Sequence, residues 1–305
     1  MKYLALVNSG LSELCQEELK ELGIKSTVEE NVIKFDVKDE NLLKNLQSTK
    51  RVLRFISEFN ADEDVEIEKL DYLNEKSFKI EVENLKGQEN RFEIANKIGT
   101  AVFKNVKTET NYKKPDFLLV AYHQDGKFYL GLDIFGEMHK REYRLFPHSA
   151  SFTGDYAYYF IKKVGFSKGN KLLVGFFKDG GLAIEAAIFS KENIYAFDPS
   201  SLNYNAAKKN AKLAGVDKLI DIKKCSLEDL DVKYENDFFD NIIFHLTAKD
   251  EGQINEIYSQ TLYVLKKKGK MLIITRESFE LSVSDKFKLI IVEDLKRGES
   301  VHKLW

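Results

Sequence analysis

From Pro147 to the C-terminus, short apolar runs alternate with amphipathic stretches of helical period, and this alternation constrains the chain more than any other feature. Residues 172–177, 194–198, 219–223, 241–246 and 270–275 read as strands, and residues 155–164, 182–189, 201–214 and 254–265 as helices. Strands that alternate with helices are joined by crossovers rather than tight hairpins, which dictates a parallel sheet. Residues 287–292 and 301–304 read as a closing antiparallel hairpin. The pattern is that of a doubly wound, nucleotide-binding type of domain.

The preceding half has another rhythm. Residues 2–8, 32–37 and 52–59 read as strands. A helix starting at Ser9 or Ser12 runs to about residue 22, with Leu11, Leu14, Cys15, Leu19 and Leu22 on one face and Gly23 as its C-cap. Residues 40–51 read as a second helix, and the acidic stretch 61–68 as a junction or the start of a connecting helix. Then follow a strand at 78–82 and a helix at 89–103 that turns Phe92, Ile94, Ala95, Ile98, Ala101 and Val102 inward. Strands at 117–121 and 128–133 meet at His123-Gln124-Asp125-Gly126, where Asp-Gly signals a hairpin. The expected organisation is a small α+β domain at 1–60, a second domain at 61–138, a basic linker at 139–150 and the doubly wound domain at 151–305.

Composition excludes several classes. With 43% apolar and 31% charged residues the chain buries real cores and is not disordered. Lys+Arg 47 against Asp+Glu 49 leaves a net charge of -2, which excludes a uniformly basic nucleic-acid coat but allows a local basic patch. Two cysteines, Cys15 and Cys225, are too few for a disulfide framework or a cysteine-rich zinc site, and no metal site is expected. Apolar runs are far short of a membrane span, and the opening MKYLALVNSG is too weak for a signal peptide. The expectation is a cytoplasmic protein that does not associate with a membrane.

Three segments are less generic: Gly131-Leu132-Asp133, then His139-Lys140-Arg141-Glu142-Tyr143-Arg144, then His148-Ser149-Ala150. Downstream, Leu182-Ala183-Ile184-Glu185-Ala186-Ala187 and the helix NYNAAKKNAKLAGV from Asn203 continue the pattern. Together they resemble the THUMP-containing, S-adenosylmethionine-dependent RNA methyltransferases that modify a guanine exocyclic amine in transfer or ribosomal RNA. The likeness spans the whole chain. It implies an α/β protein with a ferredoxin-like N-terminal domain, a THUMP domain and a Rossmann-like methyltransferase domain.

The same resemblance locates the chemistry, and here the chain departs from it. The family's glycine-rich cofactor loop aligns with Val174-Gly175-Phe176-Phe177-Lys178-Asp179-Gly180, so of the loop's acid and paired glycines only Gly180 is retained. Asp198 ends the second strand where such folds place an acid on the ribose hydroxyls, although Asp198-Pro199-Ser200 is also good helix-capping chemistry. The acid that would accept the adenine amine is replaced at Lys224-Cys225-Ser226, leaving Ser226 as a neutral acceptor. The Asn-(Leu/Pro)-Pro-Tyr catalytic segment becomes His245-Leu246-Thr247-Ala248. His245 offers one acceptor nitrogen while neutral, and Ala248 removes a stacking ring worth about 1–3 kcal/mol.

Gly180, Asp198 and Ser226 are thus the expected remnant of a cofactor pocket, and His245 stands at the catalytic position. His139, Lys140, Arg141, Tyr143 and Arg144 are the expected RNA contacts, with cations for phosphates and a ring for a base. Lys104, Lys107, Lys113 and Lys114 extend that patch. The expected function is binding of structured RNA, of which transfer RNA is the favoured kind, without methyl transfer, and with room for a partner protein or active paralogue. The alternative is a guanine-N2 RNA methyltransferase using S-adenosylmethionine through divergent motifs. A third reading gives the pocket another small ligand.

Overall fold

The computed structural model describes residues 1–67, 70–248, 250–276, 278–297 and 300–305, so Glu68, the last residue of the expected junction, lies outside the described residues. The chain forms two compact units, Met1–Val7 with Cys15–Met138 and Asn8–Leu14 with His139–Trp305.

The first unit is built on one eight-stranded sheet shared by residues 1–60 and 61–138. Its strands are β1 (Lys2–Leu6), β2 (Ser26–Glu29), β3 (Val32–Asp36), β4 (Arg51–Asn60), β5 (Ser77–Glu83), β6 (Glu109–Thr110), β7 (Phe117–Gln124) and β8 (Lys127–Asp133). They are ordered β2-β3-β1-β4-β8-β7-β5-β6, with α2 (Gln88–Asn105) and, from Cys15 onward, α1 (Ser12–Glu21) as the helices. The β7–β8 hairpin turns where Asp-Gly requires it, with φ of 51° at Asp125 and 82° at Gly126. Two expectations fail here. Residues 40–51 form only a 3₁₀ stretch, Glu40–Asn45, because Gln47 and Ser48 give their backbone N–H groups to Glu18 instead of to a helix. Phe92 is 67% exposed: α2 turns Ile94, Ile98, Ala101 and Val102 inward and leaves Phe92 on the rim of that face.

The second unit carries the alternation. Its helices are α3 (Gly154–Lys163), α4 (Gly181–Ser190), α5 (Ser201–Leu213), α6 (Leu230–Lys233) and α7 (Glu251–Val264). Its strands are β9 (Leu172–Gly175), β10 (Ile194–Phe197), β11 (Ile220–Lys223), β12 (Phe239–His245), β13 (Leu265–Arg276), β14 (Glu293–Arg297) and β15 (Ser300–Leu304). The sheet order is β11-β10-β9-β12-β13-β15-β14, parallel from β11 to β13 and closed by the antiparallel β15. The order reverses beside β9, so the loops leaving β9 and β12 face each other at the carboxyl end. One strand is displaced from expectation. The closing strand occupies Glu293–Arg297 rather than 287–292, because Leu295 is the side chain buried there, while Leu289, Ile290, Ile291 and Val292 stay exposed.

Gly175, at the end of β9, lies under the rings of Phe244 and Phe197, and a Cβ there would overlap Phe244. Gly175→Ala is expected to destabilise the second unit by about 1–3 kcal/mol through overpacking, read as a lower urea midpoint at unchanged slope.

Candidate functional site

Crevices beyond the carboxyl ends of parallel strands are where such sheets take ligands. Asp198, just past β10, is 2% exposed, and both of its carboxylate oxygens are occupied. Oδ2 accepts from the Lys178 backbone N–H at 3.1 Å, Oδ1 from the Ser200 N–H at 2.9 Å, and the Asn203 amide donates to both at 3.1 and 3.0 Å. The α5 N-cap is Ser200, whose hydroxyl accepts from Asn203 N–H at 3.3 Å, so Asp198 itself is not the cap.

The loop that reaches over Asp198 alternates left-handed residues: φ is 56° at Phe176, 57° at Lys178 and 85° at Gly180. Only the last is a glycine. Gly180 is also obligatory for space, since a Cβ there would stand 2.9 Å from that of Ala207 on α5. Phe176 is buried against the rings of Phe197 and Phe244, with centroids 5.5 and 6.0 Å away. Lys178 is half-buried. Burial pushes its ammonium below the usual lysine range, and the Asp198 carboxylate acts in the opposite direction. Asp179 does not neutralise it. Asp179 accepts from Arg144 Nη2 at 2.8 Å and Nε at 3.2 Å, from His148 N–H at 3.2 Å, and from Gly181 N–H at 3.2 Å.

The 139–144 segment is placed differently from its sequence expectation. Arg141 makes a two-pronged contact with Glu185, at 2.9 and 2.8 Å, and Tyr143 donates its hydroxyl to the same carboxylate at 2.7 Å. Glu185 is the one charged residue of α4 and is fully buried. Arg144 is committed to Asp179, and His139 is 8% exposed, so Lys140 is the cation this segment leaves exposed. Three of the five expected RNA contacts thus hold the second unit together. Sequence reading missed their partners, Glu185 and Asp179. It also missed Asn210, whose buried amide donates to the carbonyls of Phe146 and Asp179 and accepts from Phe146 N–H.

His245 ends β12 at 3% exposure, its ring 4.7 Å from that of Phe152. Burial, aided by the positive charge of Lys178 and Arg297 and by His302 and His148, pushes its pKa down to about 3. It is therefore neutral at physiological pH and a poor proton acceptor. Ser226 is exposed, and its hydroxyl and N–H are used in a reciprocal cap with Asp229. Gly180, Asp198 and His245 gather at the carboxyl end of the sheet, while Ser226 lies past β11 with its polar groups engaged.

The first unit holds a second candidate. A groove of about 510 Å³ runs beside α2, lined by Phe92, Phe103, Tyr112 and Arg91 among others. The three rings are 67%, 50% and 72% exposed. Lys104, Lys107, Lys113 and Lys114 are exposed, and the N–H groups of Lys113 and Lys114 are both fixed by Asn111 Oδ1 at 3.1 Å. Among the described residues no three His, Cys, Asp or Glu are placed to hold a metal, and no helix is long and apolar enough to cross a membrane.

No protein-family model and no curated protein sequence matches the chain. Solved structures do match, over 100% of its length. TrmN from Thermus thermophilus superposes with a TM-score of 0.77 at 16% identity, covering 98% of that chain. SMU.472, a putative methyltransferase complexed with SAH, gives 0.78 at 18% identity and 97% coverage. A predicted N6-adenine-specific DNA methylase from Listeria monocytogenes gives 0.72 at 16% identity and 95% coverage. The chain has a methyltransferase fold, and the α/β fold class read from the sequence, with a Rossmann-like methyltransferase domain in the second half, holds.

The residues at the carboxyl end do not fit the cofactor such a fold implies. Asp198 has no oxygen left unbonded, and a sulfonium ligand brought close to the half-buried Lys178 would meet a like charge. Two unit charges at about 4 Å cost roughly 4 kcal/mol at an effective dielectric near 20.

Two outcomes test this description. Arg141→Ala leaves Glu185 charged and buried, and is expected to cost about 3–5 kcal/mol in urea unfolding. For His245, the folded pKa lies below the unfolded value near 6.5, so its contribution to stability is full above pH 6.5 and is lost as pH falls toward 3. Between pH 8 and pH 5 this residue alone is expected to remove about 2 kcal/mol, and His245→Gln should flatten that part of the stability profile.

Proposed function

We propose that this chain binds structured RNA through the α2 groove of its first unit and does not itself transfer methyl groups. Transfer RNA is the favoured kind of RNA, and the resemblance to THUMP-containing proteins gives that preference. The observation that carries the RNA reading is the groove itself: exposed Phe92, Phe103 and Tyr112 with Arg91 in the lining, and the exposed Lys104 and Lys113 next in sequence to two of those rings. Stacking on such rings contributes about 1–3 kcal/mol per base, and lysines add a salt-dependent phosphate term. A monomeric soluble surface seldom exposes three large rings in one groove without a use for them. The loss of methyl transfer is supported by the occupied Asp198, the positive Lys178 and the neutral, buried His245. A partner chain or active paralogue would then supply the chemistry.

A second reading, an RNA guanine-N2 methyltransferase that uses S-adenosylmethionine, is favoured by the full-length likeness to methyltransferase structures, one of them solved with SAH. Calorimetric titration of S-adenosylmethionine into the purified protein separates the two. The binding-protein reading expects no heat of binding up to about 1 mM, a threshold near -4 kcal/mol, and micromolar affinity would return the enzyme to first place. For the RNA site, log affinity for folded transfer RNA is expected to fall linearly with log salt. Phe103→Ala and Tyr112→Ala should each weaken binding about fivefold or more without changing that slope, whereas Lys113→Ala with Lys114→Ala should flatten it. RNA binding indifferent to all four substitutions would remove the groove from consideration.

A further inference from the structure

The second unit has another cavity, away from the carboxyl end of its sheet. It is a groove of about 720 Å³ whose floor includes Leu265, Met271, Ile273 and Trp305 and whose wall is the segment carrying Phe287 and Ile290. This wall is the stretch whose sequence reads as a strand. Displacement of β14 to Glu293–Arg297 leaves Leu289, Ile290 and Ile291 44%, 75% and 40% exposed beside the groove.

The polar part of the lining has one sign. Lys163, Lys266, Lys267, Lys270, Lys286 and Lys288 all contribute, against Asp237 as the one acidic side chain. Lys163 is paired with Glu293 and Lys266 with Asp240 at 2.7 Å. The other four are exposed, with no ion pair among the described residues. In a chain with a net charge of -2 this is a local concentration, and nothing in the fold requires it. The volume lies within the range of small-molecule sites, roughly 300–1,000 Å³. Long lysine stems run along apolar surface and hold their charges at the rim.

We propose that this groove binds a single-chain amphiphile with an anionic head group, the chain against Leu265, Ile273 and Trp305 and the head among the rim lysines. Charge complementarity selects that occupant over an uncharged lipid, and the volume selects it over a folded partner.

The chain carries its own reporter, because Trp305 is its single tryptophan and lines the groove, with its indole N–H donated to Thr275 Oγ1 at 3.0 Å. Full-length protein is titrated below the micelle concentration with dodecyl phosphate, dodecanol and inorganic phosphate while tryptophan emission is followed. Dodecyl phosphate is expected to give a saturable change, inorganic phosphate none, and dodecanol a response weaker by about tenfold. Lys286→Glu with Lys288→Glu should weaken dodecyl phosphate by about the same factor, and Ile290→Asp should abolish the response. All three side chains are exposed, so unchanged thermal melts of these variants show that folding is intact. No response to dodecyl phosphate overturns the proposal. Equal affinity for dodecanol, with the lysine variant unaffected, overturns it as well.

Discussion

The second unit depends on two carboxylates that have no access to water. Glu185 lies inside an otherwise apolar helix, and Asp179 is 1% exposed just before that helix begins. A buried carboxylate without partners is untenable, so each requires a cation and further donors. Arg141 with Tyr143 answers the first and Arg144 with the His148 and Gly181 N–H groups answers the second. Asn210 then ties Phe146 to the same turn through its amide. The start of α3, the loop after β9, the first turns of α4 and the last turn of α5 are thereby fixed to one another. Gly154 belongs to this arrangement, because a Cβ on it would run into the Arg141 guanidinium. These groups determine where every residue at the carboxyl end of the sheet can stand.

That dependence explains why charge in the 139–144 segment misleads when read from sequence. A run with Lys and two Arg around a tyrosine has the composition of a phosphate-facing patch. Nothing in its own residues reveals that the buried Glu185 lies 44 positions onward and takes Arg141 and Tyr143. The apolar context of Glu185 was nevertheless visible: a single acid in GLAIEAAIFS, a helix with no polar face, must be neutralised from elsewhere. The parallel sheet, its closing hairpin and the Asp-Gly turn were legible because periodicity and turn chemistry are local. The short helix at 40–51 and the position of β14 were not. Each was decided by a tertiary competitor, Glu18 for the backbone N–H groups of Gln47 and Ser48, and Leu295 for the buried slot in the last strand.

The candidate pocket was legible in part. The replaced residues were identifiable one by one, and the structure adds what they do together. Asp198 keeps the identity of a ribose acid, but its oxygens are directed at Lys178 N–H, Ser200 N–H and Asn203. Asn203 belongs to one of the segments that carry the resemblance to methyltransferases, so resemblance of sequence and availability for a ligand are separate matters here. Ser226 follows the same rule, since its hydroxyl closes a cap.

The loop itself is the clearest physical statement about the site. Glycine adopts positive φ without a side-chain penalty, whereas other residues cost of order 1–3 kcal/mol each when held there. Phe176 and Lys178 both adopt it. A loop awaiting a ligand would have to meet that cost from binding. This one meets it internally. Phe176 buries its ring between Phe197 and Phe244, which contributes on the order of 1.5–3 kcal/mol. The Lys178 N–H is accepted by a carboxylate, a charge-assisted bond about twice as strong as a neutral one. The left-handed backbone at Phe176 and Lys178 is therefore held by the chain's own ring packing and by its own amide. A ligand that used the Asp198 carboxylate would have to displace the Lys178 N–H, the Ser200 N–H or the Asn203 amide from it.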